Sequence, residues 1–306
     1  MASDDVPIGR RSALSAIAAG LSGLAGCSSG LGGGGDRSGS VSMLAAGSLN
    51  NALENGLRSN VDAPVEIEAH GSAEIARLVA EGQKDPDIVS VADTALFDSP
   101  LRPEWFAEFA TNSIVIAYNP GTDGGQRLAD AGPETWYRPL VNGDIALGRT
   151  DPDLDPLGYR ALFTLELATG YYGTDANLRE AIPSTEQIFP ETQLISQFET
   201  GSIDAAIAYR NMAVERGYDY IDLPAEIDLS DPAHTDLYSS STYELPGGKV
   251  VNGGVVSYGS TIRHRGPAVL DVFAEHVTGQ YVAEFGFVVP DGYPRFTGDV
   301  PDAITN

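Results

Sequence analysis

Lysine is nearly missing from this 306-residue chain. Lys84 and Lys249 are the only two, and 18 basic residues face 43 acidic ones for a net charge of −25. A field this negative repels DNA, RNA and anionic headgroups, which argues against nucleic acid as a partner. It also slows capture of any anion unless salt screens it. At molar salt the Debye length falls to about 3 Å and the long-range penalty vanishes. An acidic, lysine-poor surface therefore points to a halophile. Cysteine is scarcer still: Cys27 stands alone, so the chain forms no internal disulfide. The four histidines, His70, His234, His264 and His276, are scattered. There is no H-E-x-x-H, no G-x-S-x-G elbow between a strand and a helix, and no cysteine placed as a nucleophile. These gaps speak against an enzyme. His70 and Ser72, two residues apart, are the one pair that spacing alone leaves open as base and nucleophile. The chain also lacks an apolar run long enough for an ordinary transmembrane helix.

The N-terminus is organised for export. Arg10 and Arg11 precede the small apolar stretch SALSAIAAGLSGLAG, and L-A-G-C at 24–27 resembles a lipobox. Residues 1–26 read as a twin-arginine type signal peptide and Cys27 as a lipidation site. Residues 27–40, rich in glycine and serine, read as a flexible tether. GLGGGG at 30–35 matches G-x-G-x-x-G in letters only, because no strand precedes it and no helix follows. The expected location is the extracellular face of the membrane, with a lipid as anchor.

From residue 41 the pattern is α/β. VSMLAA (41–46), VEIEAH (65–70), DIVSVAD (87–93), NSIVIAYNPG (112–121), DIALGRT (144–150) and IDAAIAY (203–209) read as strands. VVNGGVVSYGSTI (250–262) reads as extended return strands. Helices are expected over 48–59, 72–82, 134–141, 156–173, 191–201 and 268–286, with a loop-rich tail. This rhythm implies a mostly parallel sheet, and 112–121 is a natural crossover between two lobes. In open sheets of this kind ligands bind beyond the carboxyl ends of strands, at helix N-termini.

Four such junctions stand out. Gly47 and Ser48 follow AA at the start of one helix, and Ser72 follows HG at the start of another. Asp155 precedes Pro156 and Leu157, and Glu191 follows Pro190. Each has an ordinary reading on its own. A serine or aspartate N-cap contributes about 1 kcal/mol, proline suits the first helical position, and a first-turn carboxylate complements the macrodipole. Tyr209, ending a strand, reads equally well as a core residue.

In order along the chain come AAGSL, AHGSAEIARL, DPDIVSVAD, W-Y-R-P, GRTDPDLDPLGYRAL, the helix led by Glu191, AIAYRNMAVERGYDYIDLPAEIDLSDP and a GGK strand. From about 41 to 290 this resembles the molybdate/tungstate-binding proteins of archaeal ABC importers, a branch of the ModA-like periplasmic binding proteins. The resemblance implies a type II periplasmic-binding-protein fold. Its two lobes would each carry a mixed, mostly parallel sheet flanked by helices, joined by a two-strand hinge. Residues 41–115 plus 256–306 would form lobe 1 and 116–255 lobe 2. The family's oxyanion site falls on Gly47, Ser48, Ser72, Asp155, Pro156, Leu157, Glu191 and Tyr209. The resemblance further implies that Asp155 and Glu191 give carboxylate oxygens to the Mo or W centre, while the serines and the Leu157 N–H hold oxo groups. Relatives often read DPCGYR where Leu157 stands here, and F-E-Y-R where Ala208 stands. The expected ligand is molybdate or tungstate, with no cofactor. The expected partners are an ABC permease and its ATPase, and the protein is expected to be a monomer. The carboxylates give a physical reason for this ligand. Two like charges ~4 Å apart at an effective dielectric near 20 repel by about 4 kcal/mol, which weighs against sulfate or phosphate. Mo(VI) and W(VI) are hard Lewis acids that accept extra oxygen ligands.

Overall fold

The structure, a computed structural model, describes residues 39–246, 248 and 250–305. The expected signal peptide, Cys27 and nearly all of the tether lie outside the described residues. Among the described residues twelve strands follow in chain order: β1 (Val41–Ala46), β2 (Val65–His70), β3 (Ile88–Val91), β4 (Trp105–Asn112), β5 (Ile114–Tyr118), β6 (Leu147–Gly148), β7 (Ala205–Tyr209), β8 (Asp219–Asp222), β9 (Thr242–Glu244), β10 (Val250–Asn252), β11 (Val256–Ile262) and β12 (Arg295–Gly298). One sheet has the order β12-β4-β11-β3-β1-β2, another β6-β7-β5-β8, and β9 and β10 form a hairpin.

β1 is buried almost throughout because both faces of its sheet are covered. Met43 and Ala45 join Leu49, Leu53 and Phe273 on one side. Leu44 points to the other, against Ile75 and Val79 of the helix Ser72–Ala80. The second sheet is covered in the same way. Ile116 and Ile207 share a cluster with Leu165 of the helix Pro156–Tyr172, and Ala117 and Ala206 lie under Leu194 and Phe198 of the helix Glu191–Glu199. Each fully buried leucine or phenylalanine contributes roughly 1.5–3 kcal/mol of burial.

Both sheets are mixed, but antiparallel pairings outnumber parallel ones, against the mostly parallel expectation. β1 pairs in parallel with β2 and β3, and β6 with β7. The pairs β11–β3, β11–β4, β12–β4, β5–β7 and β5–β8 are antiparallel. The cause is the crossing. β4 leaves the first sheet at Asn112 and β5 enters the second at Ile114, while β11 brings the chain back into the first sheet from Val256. A strand that returns from the other lobe runs against those already present.

Smaller departures have local causes. The expected strand 144–150 forms only over β6. The expected helix 268–286 divides into Pro267–Thr278 and Tyr281–Glu284 at Gly279. A Cβ at Gly279 would sit 2.4 Å from the Glu275 carbonyl oxygen, so the chain turns there in a space no larger residue fits. The tail adds β12 to the sheet edge rather than forming loop alone. β4, β8 and the helix Asp123–Thr135 are further elements outside the sequence reading.

Candidate functional site

Strand register brings the two serine junctions together. Ala46 of β1 lies opposite His70 of β2 in a parallel pair, so Gly47–Ser48 and Gly71–Ser72 leave the sheet side by side. Neither serine caps its helix. Ser48 lies inside the 3-10 turn Gly47–Leu49. Ser72 is the first helical residue, with Gly71 at the cap position. Both hydroxyls are turned to other work. Ser72 Oγ accepts the Ala92 N–H, 2.9 Å away, just past the end of β3. Its own proton remains for another acceptor. His70 faces Glu68 and Glu74, at 2.7 and 3.5 Å, which removes it as a base for Ser72.

Ser48 Oγ lies 3.0 Å from the Tyr258 hydroxyl of β11. Tyr258 also receives a 3.4 Å hydrogen bond from Asn112 Nδ2. Either hydroxyl can donate in this pair; with Asn112 supplying a donor to its oxygen, Tyr258 is free to give its proton to Ser48 and leave the Ser48 proton for a ligand. Burial raises the Tyr258 phenol above its ordinary range and keeps it a donor. Asn112 is fixed in turn: its oxygen accepts the Ser113 N–H at 3.0 Å and its amide donates to Asn211 Oδ1 at 2.8 Å. Asn211 Nδ2 reaches back to the Ser48 carbonyl at 3.2 Å. This buried network sits where β4 passes into β5 and holds Ser48 against the second lobe. Sequence reasoning missed Asn112, Asn211 and Tyr258, since none forms a local motif.

The second lobe presents the same kind of edge. β6 and β7 run parallel, so the loop after Gly148 and Tyr209 leave one side of the sheet. Tyr209 pairs with Ile114, the first residue after the crossover, which turns this edge toward the first lobe. Asp155 caps the helix Pro156–Tyr172, and its Oδ1 accepts the Leu157 N–H at 2.8 Å. The Gly158 N–H goes to the Asp155 carbonyl at 2.9 Å, and Pro156 has no N–H. This helix start therefore holds out a carboxylate oxygen, Asp155 Oδ2, and not the open Leu157 amide that the sequence led us to expect. Gly158 makes the arrangement possible, because a Cβ there would lie 2.5 Å from the Asp151 backbone that folds back over the first turn. The helix led by Glu191 starts close by. Phe189 N–H donates to the Arg149 carbonyl, and Arg149 N–H to that of Gln187. The chain thus runs beside the residue that opens the 150–155 loop and turns into the helix at Pro190.

Arg160 is the residue the sequence reading passed over. Its Nη1 donates to the Tyr209 hydroxyl at 2.5 Å, and the guanidinium stands 5.8 Å from the centre of the Tyr209 ring. Burial works against its charge, but Tyr209, Tyr159 and Asp93 outweigh it and hold the group above its usual range. Asp93 lies just beyond β3 of the first sheet and also acts on Tyr159.

Ser48, Ser72, Asp155 and Tyr209 thus all stand on strand or helix ends beside the crossover. Hydroxyl donors thus stand at the end of the first sheet and a carboxylate at a helix start beside the second. Among the described residues no helix is long and apolar enough to cross a membrane.

Known proteins match this architecture. The model of the bacterial extracellular solute-binding protein family matches residues 44–244. A Haloferax volcanii protein provisionally named an ABC transporter molybdenum-binding protein is 47% identical over 302 residues, covering 95% of each chain. The molybdate/tungstate-binding protein WtpA of Pyrococcus abyssi is 30% identical over 65% of each. In fold the chain is similar to the substrate-binding domain of a Clostridium difficile ABC transporter, provisionally a molybdenum transporter, with TM-score 0.57, 12% identity, and coverage of 83% of this chain and 100% of that one. With a family model spanning most of its length and a relative aligned almost end to end, this chain belongs to the extracellular solute-binding proteins, which carry solutes and catalyse no reaction.

Proposed function

We propose that this protein captures molybdate or tungstate between its lobes and delivers it to an ABC permease driven by an intracellular ATPase. The observation that carries the reading is the pairing of two unlike edges at one crossover. Ser48 and Ser72 offer hydroxyl protons from the first lobe, while Asp155 offers a carboxylate oxygen from the second. For an ordinary oxyanion the carboxylate is repulsive. For a metal oxyanion it becomes a ligand to the metal, with Glu191 as the second. Ser48 and Ser72 then hold oxo groups, Tyr209 closes the cleft, and Leu157 acts through the cap it gives Asp155. The names of the Haloferax and Pyrococcus relatives agree with this choice of solute. Binding closes the lobes about the crossover at Ser113 and the return into β11, and burial strengthens each polar contact. Cys27 tethers the protein by a lipid to the outer face of the membrane, and it acts as a monomer.

The test is calorimetric titration of the purified protein in molar salt with tungstate, molybdate, sulfate and phosphate in parallel. Tight binding of the first two with none of the others is expected. Equal binding of sulfate or phosphate would leave an importer subunit for another anion.

The hydroxyl relay makes a second prediction. Tyr258→Phe leaves the aromatic packing in place but removes the hydroxyl that pairs with Ser48. Ser48 is then free to turn its own proton inward, and ligand affinity is expected to drop about tenfold, or 1.4 kcal/mol, with the circular dichroism unchanged. Unaltered affinity would mean that Ser48 needs no orientation from β11.

A further inference from the structure

A dianion meeting Asp155 and Glu191 concentrates negative charge at one point in a chain of net charge −25. Low-dielectric surroundings make such a concentration costly unless a cation shares the site. The proposed function, on which this inference rests, does not itself supply that cation.

The geometry points to Arg160: we propose that its guanidinium, clamped by Tyr209, is the counter-charge of the cleft, facing the bound anion. Arg160 stands one turn beyond Pro156 on the helix that Asp155 caps, and it is half-buried there. That helix is otherwise almost uncharged, with Glu166 as its other ionic residue and ten residues beyond at 163–172 largely apolar. A half-buried arginine one turn into this helix is out of place as packing. Among the described residues its one hydrogen bond is to Tyr209. The guanidinium has five N–H donors in a rigid fork, so one clamped N–H leaves an edge suited to two oxygens of one anion. The clamp sets this edge beside the crossover, because Tyr209 pairs with Ile114, the first residue of β5. Tyr209 is accordingly a positioning residue, holding the guanidinium by its hydroxyl and by its ring face.

The experiment titrates the full chain and its variants in molar salt. The wild type is first tested with tungstate, molybdate, sulfate and phosphate, and whichever anion it binds most tightly is the probe for the variants. Arg160→Gln is expected to lower affinity at least a hundredfold with little change in Tm. Arg160→Lys keeps a charge but loses the fork, and is expected to fall between the two. Tyr209→Phe keeps the ring but drops the clamp, and is expected to lower affinity less than Arg160→Gln does. In the Tyr209→Phe background, Arg160→Gln is expected to cost a further large loss, which would not arise if Arg160 served only to brace Tyr209. Equal affinity of wild type and Arg160→Gln, or no further loss from Arg160→Gln in the Tyr209→Phe background, overturns the proposal. A wild type that prefers sulfate overturns the metal-oxyanion reading alone, and the variants still decide the role of Arg160. A wild type that binds none of the four overturns both.

Discussion

Asp155→Asn is expected to lower tungstate and molybdate affinity on the order of a hundredfold, about 2.7 kcal/mol, while leaving Tm nearly where it was. The two outcomes separate because Asp155 has two roles that use different atoms. As a cap it gives Oδ1 to the Leu157 N–H. Asparagine caps a helix as well as aspartate does, so its side-chain oxygen keeps that bond. As a metal ligand Asp155 must offer a negative oxygen, and the asparagine amide puts an NH2 group there instead. Asp155→Ala removes both roles and is expected to cost about 1 kcal/mol of stability in addition. Sulfate and phosphate supply the control. A carboxylate repels them, so Asp155→Asn is expected to leave their binding unchanged or make it stronger. If the variant binds tungstate as tightly as the wild type does, Asp155 is a helix cap and nothing more.

The parts of this site that sequence made legible are those that sit in a local pattern. β1 and β2 were readable as strands, and the helices behind them as helices, so Ser48 and Ser72 could be placed at strand ends before any register was known. Asp155 before Pro156 announced a helix start, and the structure has it there. What could not be read is what long-range pairing decides. Asn112 and Asn211 are 99 residues apart and Ser48 and Tyr258 are 210 apart, yet each pair shares a hydrogen bond. Ser48 and Ser72 looked like caps because serine at a helix start usually is one, but β11 and the end of β3 offered better-placed partners. The preference for parallel strands failed for a related reason. Local β–α–β rhythm reports strands connected through helices, whereas β4, β5 and β11 are linked by crossing between lobes. Arg160 had one visible signal, a guanidinium one turn past Asp155 in an apolar helix of a chain poor in basic residues. The apolar periodicity around it hid that signal.

Stability between pH 4 and 7 is expected to change in opposite directions when His276 and Asp228 are replaced. His276 is fully buried beside Phe109, with Ser90 Oγ 3.0 Å from Nε2 and the Tyr281 hydroxyl 2.8 Å from Nδ1. Burial lowers its pKa to about 3. The unfolded chain takes up a proton near pH 6.5, but the folded chain does not until about pH 3. His276 therefore costs stability progressively as pH falls below 6.5, at roughly 1.4 kcal/mol per pH unit. By pH 4.5 the loss is on the order of 3 kcal/mol. Asp228 lies beside the crossover, where its carbonyl accepts the Ile114 N–H. Burial raises its carboxyl to about 7, although the Ser230 N–H and hydroxyl, each at 2.8 Å, favour the charged form. Its stabilisation is complete below the unfolded pKa near 4 and is lost as pH rises to about 7, a change of similar size and opposite sense. Over the shared window the two nearly cancel, so the wild type is expected to respond only weakly to acid through this pair. Urea unfolding at fixed salt across pH 4.5–7.5 exposes them one at a time. Relative to wild type, His276→Gln should gain stability as pH falls, and Asp228→Asn should gain it as pH rises. Measuring differences between variant and wild type removes the contribution of every other carboxylate, and also any constant packing cost of the substitution. A flat difference for His276→Gln would mean that the buried imidazole takes up its proton in the folded state as readily as in the unfolded chain. A flat difference for Asp228→Asn would place its carboxyl in the ordinary range, with the Ser230 hydrogen bonds outweighing burial.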